Sequence, residues 1–181
     1  SYDAHATKVD ITFDTDKIII ADNGKGMTLD ELKNKWLFVG FSAKRDGTED
    51  DSYRSKFKRN YAGAKGIGRI SCDRLARYLT LITKSSESDT EETLFVDWKS
   101  FEGKQKVEFD TVGIKHKSST EIHKFPNDST TGTILEFSVL HTNWGWDEII
   151  ELRKSLEKMI NPFSETDEYK ICLLYTSPSP R

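Results

Sequence analysis

Cysteine, proline and long apolar runs are all scarce in this chain. The two cysteines, Cys72 and Cys172, lie far apart and form neither a metal-ligand spacing nor a disulfide framework. Their scarcity suits a reducing cytoplasm, and a cytoplasmic location is expected. No apolar run approaches the ~20 residues of a membrane helix, so no membrane partner is expected. An excess of one charge is missing too. Lys and Arg number 27 against 30 Asp and Glu, a net charge of -3, which leaves no global field to draw nucleic acid. The Gly-Lys-Ser/Thr end of a P-loop does not occur. The four histidines, His5, His116, His123 and His141, show no ligand spacing and read as surface or polar-network residues.

What is present is enough for one folded domain. The 181 residues are 35% hydrophobic and 11% aromatic, which argues against disorder. A chain of this size can bury roughly 70% of its unfolded surface. Lys8 to Phe13 alternates with period two and Lys17 to Ala21 is apolar, predicting a hairpin across the Asp14-Thr15-Asp16 turn. Thr28 and Glu31 form a capping box, opening a helix with Leu29, Leu32 and Trp36 on one face. A second helix is expected near Ile70 to Tyr78. Strands are then expected at Tyr78–Thr83, Thr93–Trp98, Lys104–Val112 and Gly132–Leu140, with a polar turn at Ser85–Glu91. Asp147 is expected to cap an amphipathic helix carrying Ile149, Ile150, Leu152, Leu156, Met159 and Ile160, closed by Pro162. Trp98, Trp144 and Trp146 read as packing residues and Cys72 as a small core residue. The expected fold class is α+β, a two-layer sandwich with a mixed, mostly antiparallel sheet and helices on one face.

Two glycine-rich loops carry the chemistry. In Asp22-Asn-Gly-Lys-Gly-Met27, Gly24 and Gly26 permit positive φ and close approach of backbone to a ligand. In Gly63-Ala-Lys-Gly-Ile-Gly68, the glycines precede a helix start, where free N–H groups favour a phosphate. Either loop alone is equally an ordinary turn. Gly66-x-Gly68-x-x-Ser71 approximates a dinucleotide fingerprint, but it follows a charged stretch rather than a strand. Asp22 ends an apolar strand, and its carboxylate accepts hydrogen bonds only, which suits an adenine amino group. It is equally a turn-forming Asp beside Asn23.

Taken together and in order, these blocks resemble the GHKL superfamily of ATPases: gyrase, heat-shock chaperone, histidine kinase and mismatch-repair proteins. Ser1-Tyr-Asp-Ala4 resembles the end of the family's Glu-x-x-x-Asn-Ser-x-Asp-Ala box. Asp22 to Met27 resembles its Asp-x-Gly-x-Gly box, Gly63 to Gly68 its Gly-x-x-Gly-x-Gly box, and Gly132-Thr133 its site-closing strand. Gly40-Phe-Ser-Ala-Lys44 is similar to the start of the ATP lid in the ninety-kilodalton heat-shock chaperone. The resemblance implies a Bergerat-type fold binding ATP and Mg2+. It implies that Asp22 reads the adenine amino group, that Gly26 and Met27 line the adenine pocket with Ala4 opposite, and that Gly24 belongs to the same nucleotide-binding loop. It places Thr133 near the adenine and wraps Gly63, Ala64, Lys65, Gly66, Ile67 and Gly68 around the phosphates. Lys44 would reach the phosphates from a lid over 39–61. Asn34 is a looser match, to the ribose or phosphates, and for it and Lys44 a solvated surface role fits as well.

The resemblance implies ATP hydrolysis driving a lid-coupled conformational change, with an ATP-dependent homodimer as a further expectation. One alternative is the catalytic domain of a sensor histidine kinase, which is more compact between the second glycine box and the Gly-Thr strand. Another is a non-hydrolysing, nucleotide-gated clamp for DNA or a protein partner. The family's catalytic Glu and metal-holding Asn are expected upstream of Ser1, and a downstream effector domain is expected beyond this chain. No catalytic or metal-binding residue is therefore expected here, nor useful hydrolysis by this stretch alone. The decapeptide 172–181 resembles a translated sequencing adapter, the alternative being a disordered Ser/Pro tail. The domain is accordingly expected to cover 1–171, with residues 172–181 packing against nothing.

Overall fold

A computed structural model describes residues 1–36, 71–101, 114–159 and 169–175. Among them, strands β1 (Lys8–Phe13), β2 (Lys17–Asp22), β3 (Ala76–Lys84), β4 (Glu91–Asp97), β5 (Ile114–Ser119), β6 (Gly132–Leu140) and β7 (Lys170–Tyr175) form one sheet. Its order is β5-β4-β3-β6-β2-β1-β7. Every neighbouring pair is antiparallel except β1–β7, which is parallel. This is the mixed, mostly antiparallel α+β sheet that the sequence predicts.

Register explains the core. The pairs Val9–Asp22, Ile11–Ile20 and Phe13–Ile18 fix the β1–β2 hairpin. Its turn is closed by the Asp14 amide donating to the Lys17 carbonyl and the Asp14 carboxylate accepting from the Thr15 amide. Paired residues share a face, so the inward side chains line up in rows across the sheet. One row runs Phe13, Ile18, Phe137, Leu79 and Val96, all buried. Burying each such side chain contributes about 1.5–3 kcal/mol. The row nearest the glycine loop runs Val9, Asp22, Thr133, Thr83 and Glu92. The inward face thus turns polar at the end that holds the glycine loop.

Helices cover this face. The 14-residue helix Trp146–Met159 presents buried Ile149 and half-buried Leu152 and Leu156 at spacings of three and four, packed against the core. The short helix Leu29–Glu31, with a π-turn at Leu32–Trp36, buries Leu32 completely against Leu81 and Leu94. Its capping box forms as predicted: the Thr28 hydroxyl takes the Glu31 amide and the Glu31 carboxylate takes the Thr28 amide.

Several expectations need correction. The helix after the second glycine loop is confined to Cys72–Leu75, and Tyr78 lies on β3, stacked on Phe95 at 5.5 Å. The long helix begins at Trp146, so Asp147 sits inside its first turn. The Gly145 carbonyl accepts the Ile149 amide and the Gly145 amide donates to Glu148. Trp98 and Trp144 pack against the core, but Trp146 is exposed, its ring lying edge-on to Tyr175 at 6.1 Å. The residues expected as a strand at 104–112 lie outside the described residues, as do Ile70, Ile160 and Pro162, whereas β5 at Ile114–Ser119 was not expected. Residues 172–175 do not pack against nothing. They belong to β7, where Cys172, Leu173, Leu174 and Tyr175 pair with Asp10, Ile11, Thr12 and Phe13, and Leu173 packs against the core. A parallel strand beside β1 lets Ile171 and Leu173 extend the inward rows, a stabilisation that Ser/Pro composition conceals.

Candidate nucleotide site

The polar end of the sheet is built from four segments. Asp22 is the last residue of β2 and is buried at 6% exposure, so its carboxylate must find donors. One oxygen accepts the Gly24 amide at 2.9 Å and the other the Ser1 hydroxyl at 2.7 Å. A carboxylate offers about four lone-pair directions, so acceptor capacity remains for a ligand donor.

Gly24 and Gly26 have different reasons to be glycine. A Cβ on Gly24 would lie 2.7 Å from the Ala4 carbonyl oxygen and 3.0 Å from the Ala4 methyl. Ala4 therefore does face the loop, and its carbonyl also accepts the Lys25 amide at 2.8 Å. Gly26 has φ +65°, and a Cβ there would sit 2.0 Å from the Lys84 carbonyl oxygen. Only glycine takes both the turn and the approach. Gly132 opposes Asp22 in the same way, with a Cβ at 2.1 Å from the Asp22 carbonyl oxygen.

Three residues that the sequence reading left out hold this loop. Asn23 accepts the amides of Thr7 and Lys8 at 2.9 and 2.8 Å and donates to the Thr7 hydroxyl, stapling the loop to the start of β1. The Thr131 hydroxyl donates to the Gly24 carbonyl at 3.0 Å. Thr83, fully buried on β3, accepts the Met27 amide at 2.9 Å, donates to the Gly132 carbonyl at 3.1 Å and lies 3.2 Å from the Thr133 hydroxyl. The Asx-type turn signal at Asn23 was present in the sequence; Thr83 has no local signal, because its role arises only from strand pairing.

The structure thus brings together Ala4, Asp22, Gly24, Gly26, Met27 and Thr133. Lys44, Gly63, Ala64, Lys65, Gly66, Ile67 and Gly68, and with them the lid segment 39–61, lie outside the described residues. Asn34 is exposed and its amide donates to Asp30 at 2.7 Å. An adenine-like group suits this end, since the buried carboxylate can take only donors. For magnesium, no group of three or more His, Cys, Asp or Glu side chains that could hold a metal occurs among the described residues.

A second polar cluster continues the same row toward the sheet edge. Glu92 is buried and accepts from Thr90, Ser118 and the His116 imidazole, each at 2.6 Å. Burial pushes its carboxyl up, but these hydrogen bonds and the His116 charge together hold it below its ordinary value of 4.5. Glu91 faces the other way and takes the backbone amide of His123 at 2.8 Å and its ring Nδ1 at 2.7 Å. Both histidines therefore sit in polar networks, as expected.

Residues 1–132 match the family model for histidine kinase-, DNA gyrase B- and HSP90-like ATPases. A protein of Herpetosiphon aurantiacus, provisionally named type II restriction enzyme HgiDII, is 37% identical over 71 residues. That alignment covers 39% of this chain and 11% of the relative's length. No helix among the described residues is long and apolar enough to cross a membrane.

Proposed function

The chain belongs to the family of histidine kinase-, DNA gyrase B- and HSP90-like ATPases, and from that premise we propose that its ATP site lies where β2, β6 and the 22–27 loop meet. Asp22 accepts from the adenine amino group, Gly26 and Met27 shape the base pocket with Ala4 opposite, and Thr133 contacts the base beside Asp22. Gly63 to Gly68 hold the phosphates, with Lys65 and Lys44 contributing charge. Bound Mg2+ would neutralise phosphate charge. In the whole protein, a lid formed by 39–61 closes over bound ATP, hydrolysis drives the conformational change that follows, and the ATP-bound form pairs with a second copy.

The observation that carries the reading is the buried Asp22 carboxylate, in register with Thr133 and braced by Gly24. A hydrogen bond to a charged group contributes about 1.5–3 kcal/mol. Asp22→Ala is therefore expected to weaken ATP binding about tenfold to a hundredfold by calorimetry. Unchanged affinity in a folded variant would refute the adenine assignment.

The two strands β4 and β5 between the second glycine box and the Gly-Thr strand favour a chaperone-like branch over the compact sensor-kinase form. A second reading, a nucleotide-gated clamp on DNA, draws support from the name of the Herpetosiphon aurantiacus relative. It predicts that the whole protein retains duplex DNA more firmly with ATP than with ADP; equal retention would remove it.

A further inference from the structure

Thr83 lies one strand beyond the residues that face the base, yet its hydroxyl has three partners. The Gly132 carbonyl can only accept, so the contact at 3.1 Å takes the single proton of Thr83. The Met27 amide can only donate, and at 2.9 Å it occupies one of the two lone pairs. What remains toward Thr133, at 3.2 Å, is a lone pair. The Thr133 hydroxyl must therefore donate to Thr83, and it is left with lone pairs alone for anything on its other side. Thr83 is fully buried, so these positions are closed to bulk water.

We propose that Thr83 is a specificity-determining positioning residue: by consuming the Thr133 proton it makes Asp22 and Thr133 an all-acceptor pair that admits a 6-amino purine and rejects a 6-oxo purine. This rests on the adenine reading above and deepens it. Asp22 and Thr133 are register partners on β2 and β6, so both acceptors face the same space. An amino group has two N–H donors to offer such a pair. A 6-oxo group presents lone pairs against lone pairs, and a freely rotating Thr133 hydroxyl would relieve that clash by donating.

The test is calorimetric binding of ATP and inosine triphosphate to the full chain and to Thr83→Val and Thr83→Ser. The unaltered chain should prefer ATP. Thr83→Val should lower the ATP-to-inosine-triphosphate affinity ratio roughly tenfold, and Thr83→Ser should restore it. A purely structural loss through the Met27 amide would weaken both nucleotides alike and leave the ratio in place, which would overturn the proposal while sparing the adenine reading. Absence of any preference in the unaltered chain would instead strike that reading, and the proposal with it. Should Thr83→Val not fold, Thr83→Ala makes the same comparison without the second methyl. In a Thr133→Val background the Thr83 substitution should no longer change the ratio, because it acts through that hydroxyl. Additive effects would overturn the assignment.

Discussion

At Gly26 a positive φ and a close backbone approach coincide, and the two constraints reinforce each other. Gly26→Ala would place a methyl against the Lys84 carbonyl and strain the backbone, so more than about 1 kcal/mol of stability should be lost, read from urea midpoints. At Gly24 the obstruction is the Ala4 carbonyl and methyl together with the Asp22 carboxylate, with no such strain in the backbone. Cys72 shows the opposite kind of residue effect. Burial, reinforced by Asp73, pushes its thiol up to about 11. At pH 8 roughly one molecule in a thousand carries the thiolate, the form that reacts. Alkylation by iodoacetamide should therefore label Cys72 far more slowly in the folded chain than after unfolding; equal rates would contradict its burial.

Among the elements, the β4–β5 edge depends on Glu92 staying ionised. Its carboxyl is held below 4.5 by Ser118, Thr90 and His116, although burial opposes this. A carboxyl depressed in the folded state stabilises the fold above its unfolded value, and that contribution is lost as pH falls through the folded value. The urea midpoint should therefore drop on acidification below about 4.5, and Glu92→Gln should flatten that limb. An unchanged acid limb would mean the cluster is not coupled to folding. This edge also shows where the sequence was hard to read. The β1–β2 hairpin, the Thr28–Glu31 box and β6 were legible because period, caps and glycines are local signals. β5 reads Ile-Lys-His-Lys-Ser-Ser, with no apolar alternation, and forms because Glu92 and the β4 backbone supply its partners. β7 was obscured in another way: its Leu-Leu pair lies in a stretch whose composition suggests a tail, and only β1 gives it a place.

At the scale of the whole molecule, the strand order brings residues 22, 83 and 133 onto one row, although 50 positions separate the last two. The Asp22–Met27 loop was legible because its residues are contiguous in sequence; the role of Thr83 was not, because cross-strand register is a property of the assembled sheet. A ligand seated on that row should therefore stabilise strands far apart in the chain, and the effect should appear in global unfolding. Binding to the native state alone adds about 2.7 kcal/mol when ATP is present at a hundred times its dissociation constant. For a chain of this length each kcal/mol shifts the melting temperature by about 2–4 °C, so ATP should raise it by about 5–10 °C. If Asp22→Ala weakens binding tenfold, the same ATP concentration gives about 1.4 kcal/mol, a shift of about 3–6 °C. If the loss is a hundredfold, it gives about 0.4 kcal/mol, or about 1–2 °C. Calorimetric scans of both chains across an ATP series test this directly. An equal shift in the two, with Asp22→Ala folded, would place the nucleotide away from Asp22 and away from the Asp22–Thr133–Thr83 row altogether.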